Sequence, residues 1–195
     1  MRRLYHLVSG LLLTYLIAQL DRKGGLILVS VLLALAIILE TARLILPAFN
    51  RLFIRCFSIL LRQEEKRKPT SSAWYITGVL LSLLLFKKEF ALFSMVILAV
   101  GDPSASTVGK KWGRHRIKRK SIEGSVAFLI AAVIAGFIFQ RIAGGLSFVT
   151  IAAGALAGTI TELVSTKLDD NLTIPLIASG CMQAVYYFLQ TYLQF

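Results

Sequence analysis

Long apolar runs separated by short polar segments set the pattern of this chain. The runs cover Leu4–Leu20, Leu26 to about Phe49, about Ser72 to Phe86, Phe90 to Gly101, Ser125 to about Gln140, Leu146 to about Leu163, and Ile174 to about Leu193. Most approach the roughly 17–20 residues that a helix needs to cross the hydrocarbon core of a bilayer. The fourth stops early, at Gly101-Asp102-Pro103, because proline removes a backbone donor and ends a helix. Between the second and third runs, Arg51, Arg55 and Arg62 recur on one face of an otherwise apolar stretch. That spacing predicts an amphipathic helix lying flat at the interface over 51–63. The expected fold is all-α: a polytopic transmembrane bundle of about seven spans over 1–195 as a single domain. A polar nucleotide-binding loop is expected over 101–125.

Composition sharpens this picture. Of 195 residues, 56% are hydrophobic and only 16% are charged, with mean hydropathy +0.73. Soluble domains carry about 25% charged residues, so a bilayer is the natural solvent here. The net charge of +12 would suggest nucleic acid in a soluble protein. Here the cations lie between apolar runs, so no nucleic acid is expected, and anionic lipid or phosphorylated ligands are the better partners. Most of the 22 Lys and Arg fall on one side if the N-terminus is inside: Arg2 and Arg3, Arg51 to Lys68, Lys110 to Lys120, and Lys167. The positive-inside bias therefore puts the N-terminus and every interesting polar segment in the cytoplasm. Chain length and the lack of a cleavable signal suggest a prokaryotic plasma membrane. Cys56 and Cys181 have no metal-ligand spacing and read as buried thiols. Gly154-Ala-Leu-Ala-Gly158 reads as close helix packing, with homo-oligomerisation left open.

Four polar constellations could carry chemistry. In Gly101-Asp102-Pro103-Ser104-Ala105-Ser106-Thr107-Val108-Gly109, the acid either caps a helix end or holds Mg²⁺, which favours carboxylates plus substrate phosphates. Lys110 to Lys120 puts seven cations in eleven residues. These either anchor the chain on anionic lipid or bind phosphate beside the start of the fifth span, where Ser121 and Ser125 are available as caps. If the sixth helix continues, Glu162 and Asp169 face the same way, about 10.5 Å apart along the axis. A carboxylate at a membrane-helix end is costly and therefore a functional candidate, although Asp170 and Asn171 also suit a cap. Glu40 and Arg43, at i and i+3, read as a mutually neutralising structural pair. His6 and His115 show no partners for a metal site or triad.

The ordered set of motifs resembles the CTP-dependent lipid-alcohol kinases, the family of dolichol, phytol and yeast-type diacylglycerol kinases. The matching residues are Arg3-Leu-Tyr-His6, Glu40-x-x-Arg43, Arg62-Gln-Glu-Glu65, Gly101-Asp102-x-x-Ala105-Ser106-x-x-Gly109, Lys120-Ser-x-Glu123-Gly124-Ser125, and Glu162 with Asp170-Asn171-x-x-x-Pro175. They follow one another along nearly the whole chain. The resemblance implies transfer of the CTP γ-phosphate to a membrane lipid hydroxyl, with Mg²⁺ as cofactor. Phosphoryl transfer needs positioning, metal and cations more than covalent chemistry, which agrees with these residue types. On this resemblance Asp102, Asp170 and Asp169 are the metal candidates, and Lys120, with Arg119 in reserve, neutralises phosphate. Glu123 binds a second metal or orients the lipid hydroxyl, and Glu162 is the other candidate base. Ser106, Gly109, Gly124, Ser125 and Asn171 shape the nucleotide site. Two other readings are a cytidylyltransferase making a CDP-lipid, as in the related CDP-diacylglycerol synthases, and a non-enzymatic transporter or scaffold. The His-Gly-Gly and Asp-Arg-x-x-Asp clusters of those synthases do not occur here.

Overall fold

A computed structural model describes residues 2–118, 120–165 and 168–193. The helices are α1 (Arg2–Gln19), α2 (Arg22–Ile45), α3 (Pro47–Phe57), α4 (Ser71–Leu85), α5 (Lys88–Trp112), α6 (Ile122–Ala143), α7 (Phe148–Val164) and α8 (Asp170–Leu193). A single 3₁₀ turn, Glu64–Lys66, joins α3 to α4. Strands β1 (Arg116–Ile117) and β2 (Lys120–Ser121) form a small antiparallel hairpin between α5 and α6. By length and composition, α2, α5, α6 and α8 are each able to cross a membrane, while α4 and α7 are shorter apolar helices. The surface is apolar as well: Ile27, Val31, Leu35 and Ile38 on α2, and Ile130, Ile134 and Ile138 on α6, are exposed. A fold that shows isoleucine outward along whole helices is one whose solvent is hydrocarbon.

Helix α5 is the axis of the bundle. Every residue from Phe90 to Ala99 is buried, and α1, α4, α6, α7 and α8 pack around it. Between helices in lipid there is no hydrophobic driving force, so close approach at small residues and van der Waals contact hold the bundle. The α5–α6 contact shows this. A Cβ on Gly124 would come within 2.9 Å of the Ala105 carbonyl, and one on Gly109 within 2.8 Å of the Ser121 hydroxyl. The Gly154–Gly158 face is filled from within the chain: Met182 of α8 lies against Gly154 and Ile97 of α5 against Gly158.

Four expectations are corrected. Helix α5 does not stop at Gly101-Asp102-Pro103; it runs on to Trp112 with Pro103 inside it. The proline forgoes only its own bond to the preceding turn, and the hydroxyls of Ser104, Ser106 and Thr107 bond back to carbonyls of that helix. Buried or neighbour-packed helices tolerate proline on those terms. Residues 101–112 are thus helix, not loop, and β1, β2 and the first turn of α6 follow before 125. The second span ends at Ile45, where Pro47 starts α3 as its first helical residue. The interfacial helix accordingly begins and ends earlier than 51–63. Helix α7 ends at Val164, so Glu162 and Asp169 do not share a helix. Cys56 is exposed, because α3 buries none of its residues.

Charged residues sort to the two ends of the bundle. At one end, Arg22 donates to the Leu83 carbonyl at 2.9 Å, and the Lys87 ammonium sits 3.8 Å above the Tyr186 ring. The other end gathers the starts of α1, α4, α6 and α8 with the ends of α2, α5 and α7, and it holds most of the buried polar groups.

Candidate active site

Three local features build that polar end. At the start of α6, Ser121 accepts from Gly124 N at 3.1 Å and caps the helix. The cap fixes β2 beside it, so Lys120 points across the bundle. At the start of α8, Asp169 accepts from Asn171 N at 3.0 Å and from Asn171 Nδ2 at 2.6 Å. This capping turn presents Asp170 to the same space. From α7, Glu162 enters two residues before the helix ends at Val164, with its side chain only 4% exposed.

Lys120 joins these elements. Its Nζ donates to Glu162 Oε1 and to Asp170 Oδ2, each at 2.7 Å. Burial pulls the Lys120 ammonium down, but the Asp170 and Glu162 carboxylates outweigh it and hold its pKa above the usual lysine value. Ser125 donates to the second Glu162 oxygen at 3.2 Å. A buried carboxylate is tolerable only when paired and hydrogen-bonded, and Glu162 is both.

A cavity of about 460 Å³ opens beside this triad. Its cationic wall is Arg2, Arg3, Arg62, Lys110, Arg116 and Lys120, and its anionic groups are Asp102 and Glu162. Ser106, Gly109, Gly124 and Asn171 complete the predicted set that lines it. The glycines serve twice, since the close helix approach they permit also shapes the wall. Asp169 and Asp170 line an adjoining cavity of about 750 Å³, which shares Arg62 and Lys120 with the first and adds Trp74 and Lys118. Arg62 lies 4.0 Å from Asp169 Oδ2.

Not every expected residue joins the group. Glu123 does not line either cavity; it accepts from His115 N at 3.1 Å and meets His115 Nδ1 at 2.8 Å, locking the hairpin to α6. His115 is thus paired with Glu123 and joins no metal-ligand group among the described residues. Ser125 acts behind the wall through Glu162. Arg119 and Lys167 lie outside the described residues. Among the described residues, no three His, Cys, Asp or Glu side chains converge as a metal-ligand set, so Asp102, Asp169 and Asp170 do not form one cluster.

The cavity also holds residues that the sequence reading credited to topology. Arg3 donates to the Ser106 carbonyl and to Thr107 Oγ1, both at 2.9 Å, tying α1 to α5. Arg2 reaches Ser71 at 3.2 Å and Glu65 at 3.4 Å. The available signal was the adjacency of two arginines to the start of a span, where one would serve orientation. Arg43 is fully buried; it pairs with Glu40 at 2.6 Å and donates to the Glu65 carbonyl at 2.9 Å and to the Lys68 carbonyl. The expected structural pair thus also clamps the 62–70 segment against α2. Glu65 accepts from Arg62 N, Ser71 N and the Ser71 hydroxyl. Burial pushes its carboxyl up, but these donors and Arg2 hold it below the usual glutamate range.

The cationic lining of this cavity is complementary in charge to phosphate groups, and relatives of the chain are named as CTP-dependent kinases. The chain is 30% identical over 153 residues to the CTP-dependent diacylglycerol kinase 1 of Schizosaccharomyces pombe, spanning 70% of this chain and 69% of that one. This chain belongs to the CTP-dependent lipid kinase family. The CTP-dependent diacylglycerol kinase 1 of Saccharomyces cerevisiae is 28% identical over 209 residues, covering 94% of this chain and 72% of its own length. A phytol kinase of Synechocystis is 36% identical over 94 residues, covering 45% and 40% respectively. No family model matches the chain, and no solved structure matches it. The diacylglycerol kinases among these relatives are named as CTP-dependent.

Proposed function

We propose that this protein transfers the γ-phosphate of CTP to the hydroxyl of a membrane lipid alcohol, with the reaction at the polar end of the bundle. The observation that carries the reading is the cavity of about 460 Å³, in which six cations face Asp102 and Glu162. Arg2, Arg3, Arg62, Lys110, Arg116 and Lys120 would spread over the triphosphate oxygens, where charge-assisted hydrogen bonds are strongest. Lys120, already held by Glu162 and Asp170, is pre-oriented for the transferring group. Preorganised charge of this kind is the main source of catalysis in phosphoryl transfer.

Magnesium suits Asp102. Among the described residues its carboxylate makes no hydrogen bond or ion pair, and Mg²⁺ is bound by one or two carboxylates plus substrate phosphates rather than by an all-protein cage. Asp170 is the second candidate ligand, with Asp169 behind it in the adjoining cavity. The metal would neutralise charge on the phosphate oxygens. Glu123 and Ser125 are assigned positioning work: Glu123 on the hairpin, Ser125 on Glu162.

In this reading α1, α2, α4, α5, α6, α7 and α8 are seven spans, with the N-terminus and the polar end in the cytoplasm, where CTP is. The acceptor is drawn from the alcohols of the relatives' names, diacylglycerol, phytol and dolichol. Asp102→Asn tests the reading. With CTP, Mg²⁺ and a panel of lipid alcohols, the variant should lose at least about 100-fold in kcat/KM, as expected for loss of a group stabilising the transition state. Its thermal stability should stay at the wild-type value, since Asp102 holds nothing in the fold. Pyrophosphate release with phosphatidic acid as acceptor, without label transfer to any alcohol, would replace this reading by a cytidylyltransferase.

A further inference from the structure

A second opening, of about 230 Å³, lies between α1, α2, α3 and the start of α4. Ala36, Phe53, Leu60, Leu61 and Ala73 are apolar residues of its lining. Leu39, Tyr5 and Phe57 at its lip are exposed on the apolar outside of the bundle. The volume is below the roughly 300–1,000 Å³ of pockets that enclose a whole small molecule. It therefore suits the head of a longer apolar ligand whose remainder stays in hydrocarbon. Arg2 and His6 line both this groove and the cationic cavity, so the two spaces meet at these residues. His6 Nε2 is buried there with no hydrogen-bond partner among the described residues. A buried ring nitrogen without a partner forgoes a bond it could make, which is costly unless a ligand supplies it.

We infer that the α1–α4 groove is the entry site for the lipid alcohol, and that His6 receives its hydroxyl at the border with the phosphate cavity. The inference rests on the kinase reading above and adds the acceptor's path and its proton acceptor. The hydroxyl donates to His6 Nε2, and its oxygen faces the γ-phosphorus from the groove side. As the new O–P bond forms, the bond from the γ-phosphorus to the β,γ-bridging oxygen breaks. CDP leaves with that electron pair, and the hydroxyl proton passes to His6 Nε2. The tail lies along Ala36, Leu39 and Phe53 and leaves through the open lip into the bilayer. The groove thus pairs an apolar lining with polar residues of α1, α2, the 3₁₀ turn and the start of α4, among them Arg2, His6, Glu40, Glu65, Thr70 and Ser71.

The test uses the full-length protein in lipid nanodiscs and a diacylglycerol carrying a photoactivatable diazirine near the glycerol. Irradiation should label residues of the groove, around Ala36, Leu39, Phe53 or Leu60, and unlabelled alcohol should compete. Label confined to other helices overturns the groove. Two variants add independent readouts. Ala36→Phe should raise the KM for the lipid at least tenfold while leaving the KM for CTP within twofold. His6→Gln should lower kcat about 100-fold, the usual worth of a positioned proton acceptor, with the KM for CTP and the thermal midpoint unchanged. Wild-type kcat in His6→Gln overturns its role. Groove labelling in a protein that phosphorylates no alcohol would keep the groove and refute the kinase reading instead.

Discussion

Replacing Lys120 by methionine removes one ammonium and leaves two carboxylates facing each other. Lys120 meets Glu162 and Asp170 at 2.7 Å each; its own side chain is 25% exposed, and theirs are 4% and 18%. Removing one partner of a buried ion pair costs about 3–5 kcal/mol, because the remaining charge is uncompensated. Partial exposure of the ammonium argues for the low end, about 3 kcal/mol. For a chain of this size, each kcal/mol shifts the unfolding midpoint by about 2–4 °C, so a fall of roughly 6–12 °C is expected. Thermal unfolding in detergent, followed through Trp74 and Trp112 fluorescence, reads this directly. The double variant with Asp170→Asn should recover about half of the loss by relieving the repulsion. In the kinase assay, losing one charge-assisted hydrogen bond to phosphate costs about 1.5–3 kcal/mol, or roughly a 10- to 150-fold fall in kcat/KM. Lys120→Arg should regain stability ahead of activity, since a planar fork cannot replace a point charge at the same place. A Lys120→Met protein that melts at the wild-type temperature would refute the argument that this ammonium holds the α6, α7 and α8 ends together.

Other consequences follow from the same geometry. Because donors hold the Glu65 carboxyl below the ordinary glutamate value of about 4.3, its contribution is complete above that pH and is lost as pH falls through the lower folded value. Melting points measured across that acid range should fall in the wild type and flatten in Glu65→Gln. Gly124→Val should destabilise the α5–α6 contact by about 1–3 kcal/mol, since its Cβ would press on the Ala105 carbonyl; an unchanged midpoint would refute the close approach. Pro103→Ala should leave the midpoint unchanged or raised and the helix content intact, because α5 already runs through this residue; a loss of helical circular dichroism would contradict that reading.

The apolar periodicity and charge sorting of the sequence determined the all-α membrane character of this chain and the gathering of its polar segments at one end. Both follow from local solvation: about 20 apolar residues, or a cluster of cations, carry their preference wherever they are placed. The motif residues Asp102, Ser106, Gly109, Lys120, Gly124, Glu162 and Asn171 were legible for the same reason, as polar or small residues in costly positions. Tertiary structure alone decided how they meet. No spacing rule links Lys120 to Glu162 and Asp170, which approach from three elements that pack only once the bundle forms. Pro103 would end an isolated helix, yet neighbours on every side keep α5 continuous, so Asp102 is presented from a rigid helix rather than a loop. Glu123, like Glu162 a candidate acid in the sequence, turns to the hairpin instead, where His115 N and Nδ1 meet its carboxylate. His6 stood without partners in the sequence, and only the packing of α1 against α2 and α4 sets its free nitrogen between an apolar groove and a cationic cavity. Contacts between distant segments depend on which faces the bundle can bury together, and that is a property of the assembled helices rather than of any one of them.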